Sequence, residues 1–261
     1  MTSGPKTYVI NLARRPDRLQ RISALLDELE ISFSRIEAVD AKSVANRELE
    51  VAFAANRKND RVSKGDLCCT FSHRKCWEAF AASGEQHALV LEDDVEIHAD
   101  AKALLGDLTW LPDEVELLKI ESFGSSSRRI LVGEPRRVAG GTWVAPLHSR
   151  HLGSAAYILR RTLALWLLAE VRRWPMSIDH MLFNPRISPI ASAVRPFQLI
   201  PTVARQVDLK GDSDIDEGRP PFRGLGWRSM RRSARRYTNA LRVAPRHALD
   251  VLTGKSRWIR I

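Results

Sequence analysis

The sequence predicts an α/β layered domain with a mostly parallel central sheet flanked by helices, followed by a basic, helical C-terminal tail. Three observations predict it. Short runs rich in β-branched and aromatic residues alternate with segments of helical period. The 261 residues are 44% hydrophobic and 28% charged, an ordinary globular balance on a chain long enough to bury a substantial core. The net charge of +10 is also confined to one end.

Taken in order, residues 6–12 (KTYVINL) read as a short buried strand. Pro16 opens a helix in which Leu19, Ile22, Leu25, Leu26 and Leu29 recur at helical spacing. Residues 32–39 (SFSRIEAV) alternate as a second strand, and 43–62 read as a polar, partly helical connection. A helix is expected from about 67 to 83, with Asp66 as its cap. Residues 87–91 (HALVL) form a buried strand that runs directly into Glu92-Asp93-Asp94. Residues 100–111 read as helical and 116–120 as a strand, while 122–151, rich in Gly, Ser and Arg, read as loops and short strands. Residues 152–159 lead into a helix over 161–173, residues 177–183 form a short helix begun by Pro175, and 197–203 are a final strand. The Gly-, Pro- and Asp-rich stretch 211–224 marks the boundary between a body, 1–218, and a tail, 219–261.

The tail carries twelve Lys/Arg and a single acid, Asp250, so it is +11 and the body −1. The basicity therefore belongs to the tail, which argues against reading the whole protein as a nucleic-acid binder. Cys68, Cys69 and Cys76 are odd in number and crowded together, a poor disulfide framework; reduced, buried cysteines in a cytoplasmic protein are expected. No apolar run approaches the roughly 18 residues of a membrane span, and no secretory signal pattern is expected at the N-terminus.

The acidic turn is the sharpest chemical signal. Side chains alternate along a strand, so Glu92 and Asp94 should point one way and Asp93 the other. Two carboxylates thrown to one side repel unless a cation sits between them, and Mg²⁺ or Mn²⁺ typically takes one or two carboxylates plus phosphate oxygens. A metal–diphosphate site is one reading; a solvated turn that caps the next helix is the other. No phosphate loop, dinucleotide fingerprint or hydrolase elbow is present.

Several segments together resemble glycosyltransferase family 25, the lipooligosaccharide galactosyltransferase group, which is also related to the procollagen galactosyltransferases. They are VINLARRPDR (9–18), IEAVDA (36–41), KGDLCCTFSHRKCWE (64–78), ALVLEDDV (88–95), GSAAYILRR (153–161), SIDHMLF (177–183) and SDI (213–215). The resemblance implies a GT-A-like nucleotide-sugar fold, a UDP-sugar donor (commonly UDP-galactose), and transfer with inversion to a glycan hydroxyl. It places Glu92 and Asp94 on the metal, Mn²⁺ or Mg²⁺. It places Asn11, Arg15, Arg18, Asp40, Ser72, His73 and Asp93 on the donor. Arginine suits a diphosphate because its planar fork donates paired hydrogen bonds, although Arg18 also fits a solvated helix face, Asp40 a turn and His73 a core histidine. Inversion needs a base opposite the leaving group. Asp179 is the first candidate, against a helix N-terminal aspartate favoured by the dipole; Glu121 is the alternative.

In the tail, Trp227, Met230, Ala234, Tyr237 and Leu241 form one apolar stripe if 226–243 is helical, with arginines around it. Such a helix suits an anionic membrane surface, which places the protein peripherally on the inner face of the cytoplasmic membrane beside a lipid-linked acceptor. The competing reading docks the stripe on the body. A family member acting as an inactive binding partner is a further reading. No nucleic acid is expected as a partner, since no recognition signature accompanies the tail's charge.

Overall fold

The computed structural model describes residues 4–43, 47–56, 62–123, 129–173, 176–207, 247 and 249–261. The apolar run at the start forms β1 (Lys6–Asn11), and Pro16 takes the first turn of α1 (Pro16–Glu28), whose buried Ile22 and Leu26 face the sheet. Full burial of each contributes about 1.5–3 kcal/mol. Next come β2 (Phe33–Glu37), α2 (Arg47–Asn56) and the long α3 (Lys64–Ser83). Ser63, not Asp66, caps α3. The Ser63 hydroxyl accepts from the Asp66 N–H while the Asp66 carboxylate accepts from the Ser63 N–H, so Asp66 is the third residue of a reciprocal capping box. Gly84, at φ 80°, ends the helix in the left-handed region where a Cβ is disfavoured.

β3 (His87–Glu92) follows, then β4 (Val95–Ile97), α4 (Ala101–Gly106), β5 (Leu117–Lys119) and β6 (Glu121–Ser122). The stretch expected to be loops and short strands holds β7 (Arg129–Gly133), β8 (Arg136–Arg137) and β9 (Trp143–Pro146). β10 (Ala156–Arg160) runs into α5 (Arg161–Glu170), and α6 (Ile178–Phe183) and α7 (Pro189–Val194) precede β11 (Phe197–Ile200) and β12 (Ala204–Gln206). The strand expected at 197–203 stops at Ile200, and a further strand, β12, begins in a different sheet at Ala204. The helix expected at 100–111 stops at Gly106.

The main sheet has the order β2-β1-β3-β10-β5-β11-β9-β8. β1–β2, β1–β3 and β5–β11 are parallel, whereas β3–β10, β10–β5, β11–β9 and β9–β8 are antiparallel. The expectation of a mostly parallel sheet is therefore corrected to a mixed one, because β10 and β9 are inserted against the common direction. Alternate strand residues sort onto two faces. Tyr8, Val90, Leu117 and Tyr157 pack with Trp77, Phe80 and Leu163 of α3 and α5. Val9, Leu89, Leu118 and Ile158 pack with Ile22, Leu26 and Leu104 of α1 and α4. Burial on both faces explains why β1 and β3 read as continuous apolar runs.

The far end of the chain returns to the body. β13 (Ser256–Arg260) pairs antiparallel with β7, and Ile259 and Ile261 pack against the core on the α3 side. Residues 226–243, where the amphipathic stripe is expected, and Pro175, expected to begin a helix, lie outside the described residues.

Candidate active site

β2, β1 and β3 are neighbours and parallel, so the residues leaving their carboxyl ends gather at one edge of the sheet, where α/β folds bind ligands. Those residues are Asn11, Asp40 and the acidic turn. β10 runs the other way, so the segment that enters it arrives at the same edge: the Glu92 N–H donates to the Ala155 carbonyl at 2.8 Å.

The three acids have separate anchors. Glu92 Oε1 accepts from Ser154 Oγ at 2.8 Å and from His73 Nε2 at 3.3 Å. Asp93 turns toward β1 and α1. It accepts from Asn11 Nδ2 at 2.7 Å and from Arg18 at 3.4 Å, and its carbonyl accepts from Arg21 at 2.8 Å. Asp94 Oδ2 accepts from Gln206 Nε2 at 2.8 Å, while its carbonyl receives the Val207 N–H. Arg18 is therefore a buried partner of Asp93 rather than a solvated helix-face residue.

A buried hydrogen-bond chain orients His73. The Trp77 Nε1–H donates to the Tyr157 oxygen at 2.9 Å, and His73 Nδ1 lies 2.8 Å from that oxygen. A phenol carries one proton, and here Nδ1 is the acceptor within reach of it. The network thus assigns Nδ1 as acceptor and Nε2–H as donor to Glu92.

Beside this chain, Lys119 donates to Glu121 Oε1 at 2.6 Å and to the Gly153 carbonyl at 2.5 Å, and lies 4.6 Å over the Phe183 ring. The Ala155 N–H donates to the same Glu121 oxygen at 2.8 Å. Gly153 has φ 91°, and a Cβ there would stand 2.9 Å from Phe123 Cβ and 3.1 Å from Glu121 Oε1. Only glycine fits this close approach.

Beyond β2, Arg14 donates to Asp40 at 2.7 Å, and the Lys42 N–H donates to Asp40 at 2.9 Å. Ser72 donates to the Cys68 carbonyl at 2.7 Å and accepts the Val39 N–H at 2.8 Å, so it holds the turn carrying Asp40. Arg15 pairs with Asp17 at 2.8 Å. Asp179 opens α6, partly exposed; Thr70 of α3 donates to the Met176 carbonyl at 2.8 Å and fixes that approach. The Asp179 charge acts on both the Lys119 ammonium and the Cys69 thiol.

The site is rich in negative charge. Burial, and then the neighbouring Glu92, pushes the Asp94 carboxyl up to about 7. Burial opposes charge on Glu92 as well, but hydrogen bonds from His73 and Ser154 outweigh it and hold that carboxyl below its ordinary value. Asp94 Oδ1 is buried and has no hydrogen-bond partner among the described residues. An orphaned carboxylate oxygen beside a second, ionised carboxylate fits a divalent cation chemically.

Lys119, Ser154, Gln206, Tyr157 and Trp77 were not legible as site residues. For Lys119 and Glu121 a signal existed, since a Lys-x-Glu pair puts both charges on one side of an apolar strand. Ser154 and Tyr157 lie inside the quoted segment GSAAYILRR. Nothing in the sequence pointed to Gln206.

Residues 4–182 match the family model described as glycosyltransferase family 25 (LPS biosynthesis protein). The chain is similar to the human "Inactive glycosyltransferase 25 family member 3", 37% identical over 44% of this chain and 20% of that protein. It is also similar to "Lacto-N-neotetraose biosynthesis glycosyltransferase LgtE" of Neisseria meningitidis, 24% identical over 69% of this chain and 66% of that protein. A third relative is "Procollagen galactosyltransferase 1" of Danio rerio, 32% identical over 40% of this chain and 18% of that protein. The chain spans about a fifth of the human and fish relatives it matches.

Proposed function

This chain belongs to glycosyltransferase family 25, and from that premise we propose that it moves a hexose, galactose first among candidates, from a UDP-sugar to a hydroxyl of a glycan acceptor, with inversion, on a GT-A-type nucleotide-sugar fold. The observation that carries the proposal is the placement of Glu92 and Asp94 at the edge where Asn11 and Asp40 also emerge. The name of the relative that takes part in lacto-N-neotetraose biosynthesis supports a glycan acceptor, that of the procollagen galactosyltransferase supports galactose as the sugar, and the family description supports lipopolysaccharide synthesis.

Glu92 and Asp94 would hold Mn²⁺ or Mg²⁺, whose charge would offset that of a departing diphosphate. Ser154 and His73 fix one Glu92 oxygen and Gln206 fixes one Asp94 oxygen, so the other oxygen of each is left to the ligand. Asp93 is occupied by Asn11 and Arg18 and stiffens the turn. Asp40, paired with Arg14 on the turn that Ser72 holds, suits the nucleoside end of the donor, with Arg15 a further donor contact. Asp179 takes the acceptor proton as the hydroxyl attacks. It is favoured over Glu121 because it is partly exposed, whereas Glu121 is fully buried and already accepts from Lys119 and Ala155.

We place the reaction at an anionic membrane surface, on the cytoplasmic side. Beyond the stripe at 226–243, Leu249, Leu252 and Trp258 are 71%, 84% and 49% exposed, close in sequence to Lys255, Arg257 and Arg260. That combination suits lipid headgroups. Among the described residues no helix is long and apolar enough to cross a membrane. The test of the proposal is UDP release from a panel of UDP-sugars by the full chain, with and without Mn²⁺ and a soluble glycan acceptor. Acceptor-dependent release supports it; a protein that binds donor but never releases UDP would instead favour an inactive member, as the human relative is named.

A further inference from the structure

We infer that Cys69, His73 and Glu92 form a second metal site, one for a soft divalent cation such as Zn²⁺, and that it shares Glu92 with the donor site. Cys69 and His73 stand four apart on α3 and so lie on one helix face, and Glu92 reaches them from the end of β3. A sulfur, an imidazole nitrogen and a carboxylate oxygen are thereby brought within 4.8 Å of one another. Zinc bonds of about 2.0–2.2 Å to N and O at tetrahedral angles put those ligand atoms about 3.3–3.5 Å apart. The His73 Nε2 to Glu92 Oε1 separation is already 3.3 Å. A Zn–S bond of about 2.3 Å asks for a sulfur about 3.5–3.8 Å from the other two ligand atoms, so the thiol, within 4.8 Å of both, has at most about 1 Å to close.

The donor set also selects the ion. Thiolate and imidazole favour zinc, whereas Mn²⁺ and Mg²⁺ favour carboxylate, phosphate and water. Three protein ligands leave a fourth position open, the arrangement of an exchangeable rather than a closed structural zinc. The support behind the imidazole is built: Nδ1 meets the Tyr157 oxygen at 2.8 Å, and that oxygen is held by Trp77 at 2.9 Å. On binding, the Cys69 thiol gives its proton to solvent. The ring proton passes from Nε2 to Nδ1, which then donates to Tyr157, whose oxygen has two lone pairs for Trp77 and His73. The exchange costs the Tyr157 hydroxyl its acceptor, which the new metal–ligand bonds offset.

Because Glu92 belongs to both sets, a soft ion on its Oε1 puts a second divalent charge beside the donor's own cation on the other oxygen, so the two ions oppose each other and zinc inhibits transfer. This consequence, unlike the site itself, rests on the proposed role of Glu92 in donor binding.

The test is a Co²⁺ titration of the full chain, read by the thiolate-to-cobalt charge-transfer band in the near ultraviolet. Wild type should show the band, Cys69→Ser should lose it, and Asp94→Asn should keep it. Zn²⁺ should displace the cobalt and suppress Mn²⁺-supported UDP release, and Cys69→Ser should need at least about tenfold more zinc for the same effect. If Cys69→Ser melts early, Cys69→Ala is read in its place. The absence of a band in wild type, or its survival in the cysteine variant, overturns the site. A band without zinc inhibition keeps the site and overturns only the sharing of Glu92.

Discussion

Lys119, the last residue of β5, and Glu121, the first of β6, stand two residues apart and share a 2.6 Å ion pair with neither side chain exposed to solvent. Gly153 and Ala155 close the cage from the segment that leads into β10, and the second Glu121 oxygen has no partner among the described residues. Burial pushes the Lys119 ammonium down and the Glu121 carboxyl up, each resisted by the other's charge.

Breaking that pair should cost folding stability. Lys119→Met leaves a carboxylate buried without its cation, which typically costs about 3–5 kcal/mol. Urea unfolding should show a loss of that size, and Lys119→Met/Glu121→Leu should recover part of it. An unchanged unfolding midpoint for Lys119→Met would show that the pair is not an ion pair in the folded protein.

The base assignment separates two carboxylates. Asp179→Asn should lower kcat by about 10²–10⁴-fold with little change in donor affinity, the range for general base catalysis. Glu121→Gln should instead lower stability. A variant at 121 that melts normally but loses kcat would transfer the role to Glu121.

Metal binding should depend on pH through Asp94. Its folded pKa, about 7, lies above the ordinary aspartate value of about 3.9. Without metal, the folded state therefore binds more protons than the unfolded state between those values. The stability this adds is fully present below about 3.9 and is lost as pH rises through about 7. A cation must displace the same proton, so apparent Mn²⁺ affinity should fall about tenfold per pH unit below 7 and level off above it. Calorimetric titration from pH 5.5 to 8 checks this; a flat profile would exclude Asp94 as a ligand.

The tail should not be removable without consequence. A body ending at residue 218 would lack β13, leave β7 an open edge and take Ile259 and Ile261 from the core. Its melting temperature should drop, and exposed edges invite aggregation. Trp227→Ser with Tyr237→Ser in the full chain is the cleaner probe. It should weaken binding to anionic liposomes even at low salt, leaving the melting temperature unchanged. A fall in melting temperature with liposome binding intact would favour a stripe docked on the body.

Much of this was legible in the sequence wherever the cause is local. Continuous apolar runs marked β1 and β3, Pro16 marked the start of α1, and the acidic turn stood where a strand ended. What depends on distant partners was not legible. The segment holding β9 read as loops and short strands and that holding β10 only as a lead into a helix, and the reversal of both depends on which strands they meet. Ser63 was missed as a cap because Asp66, three residues on, is the acid of the same box. β13 was hidden because three of its five residues, Ser256, Arg257 and Arg260, read as polar tail. Asp94's anchor, Gln206, is 112 residues away in sequence, and no spacing rule spans that distance.

The central claim is that the acidic turn runs a metal-dependent sugar transfer, and Asp94→Asn tests it most directly. The substitution preserves shape and removes the charge. UDP release from UDP-sugar should be supported by Mn²⁺ in wild type, abolished by EDTA, and reduced at least about 10²-fold in the folded variant, the scale on which losing one preorganised electrostatic group is felt. Full activity of wild type in excess EDTA, or of a folded Asp94→Asn with Mn²⁺, would contradict it.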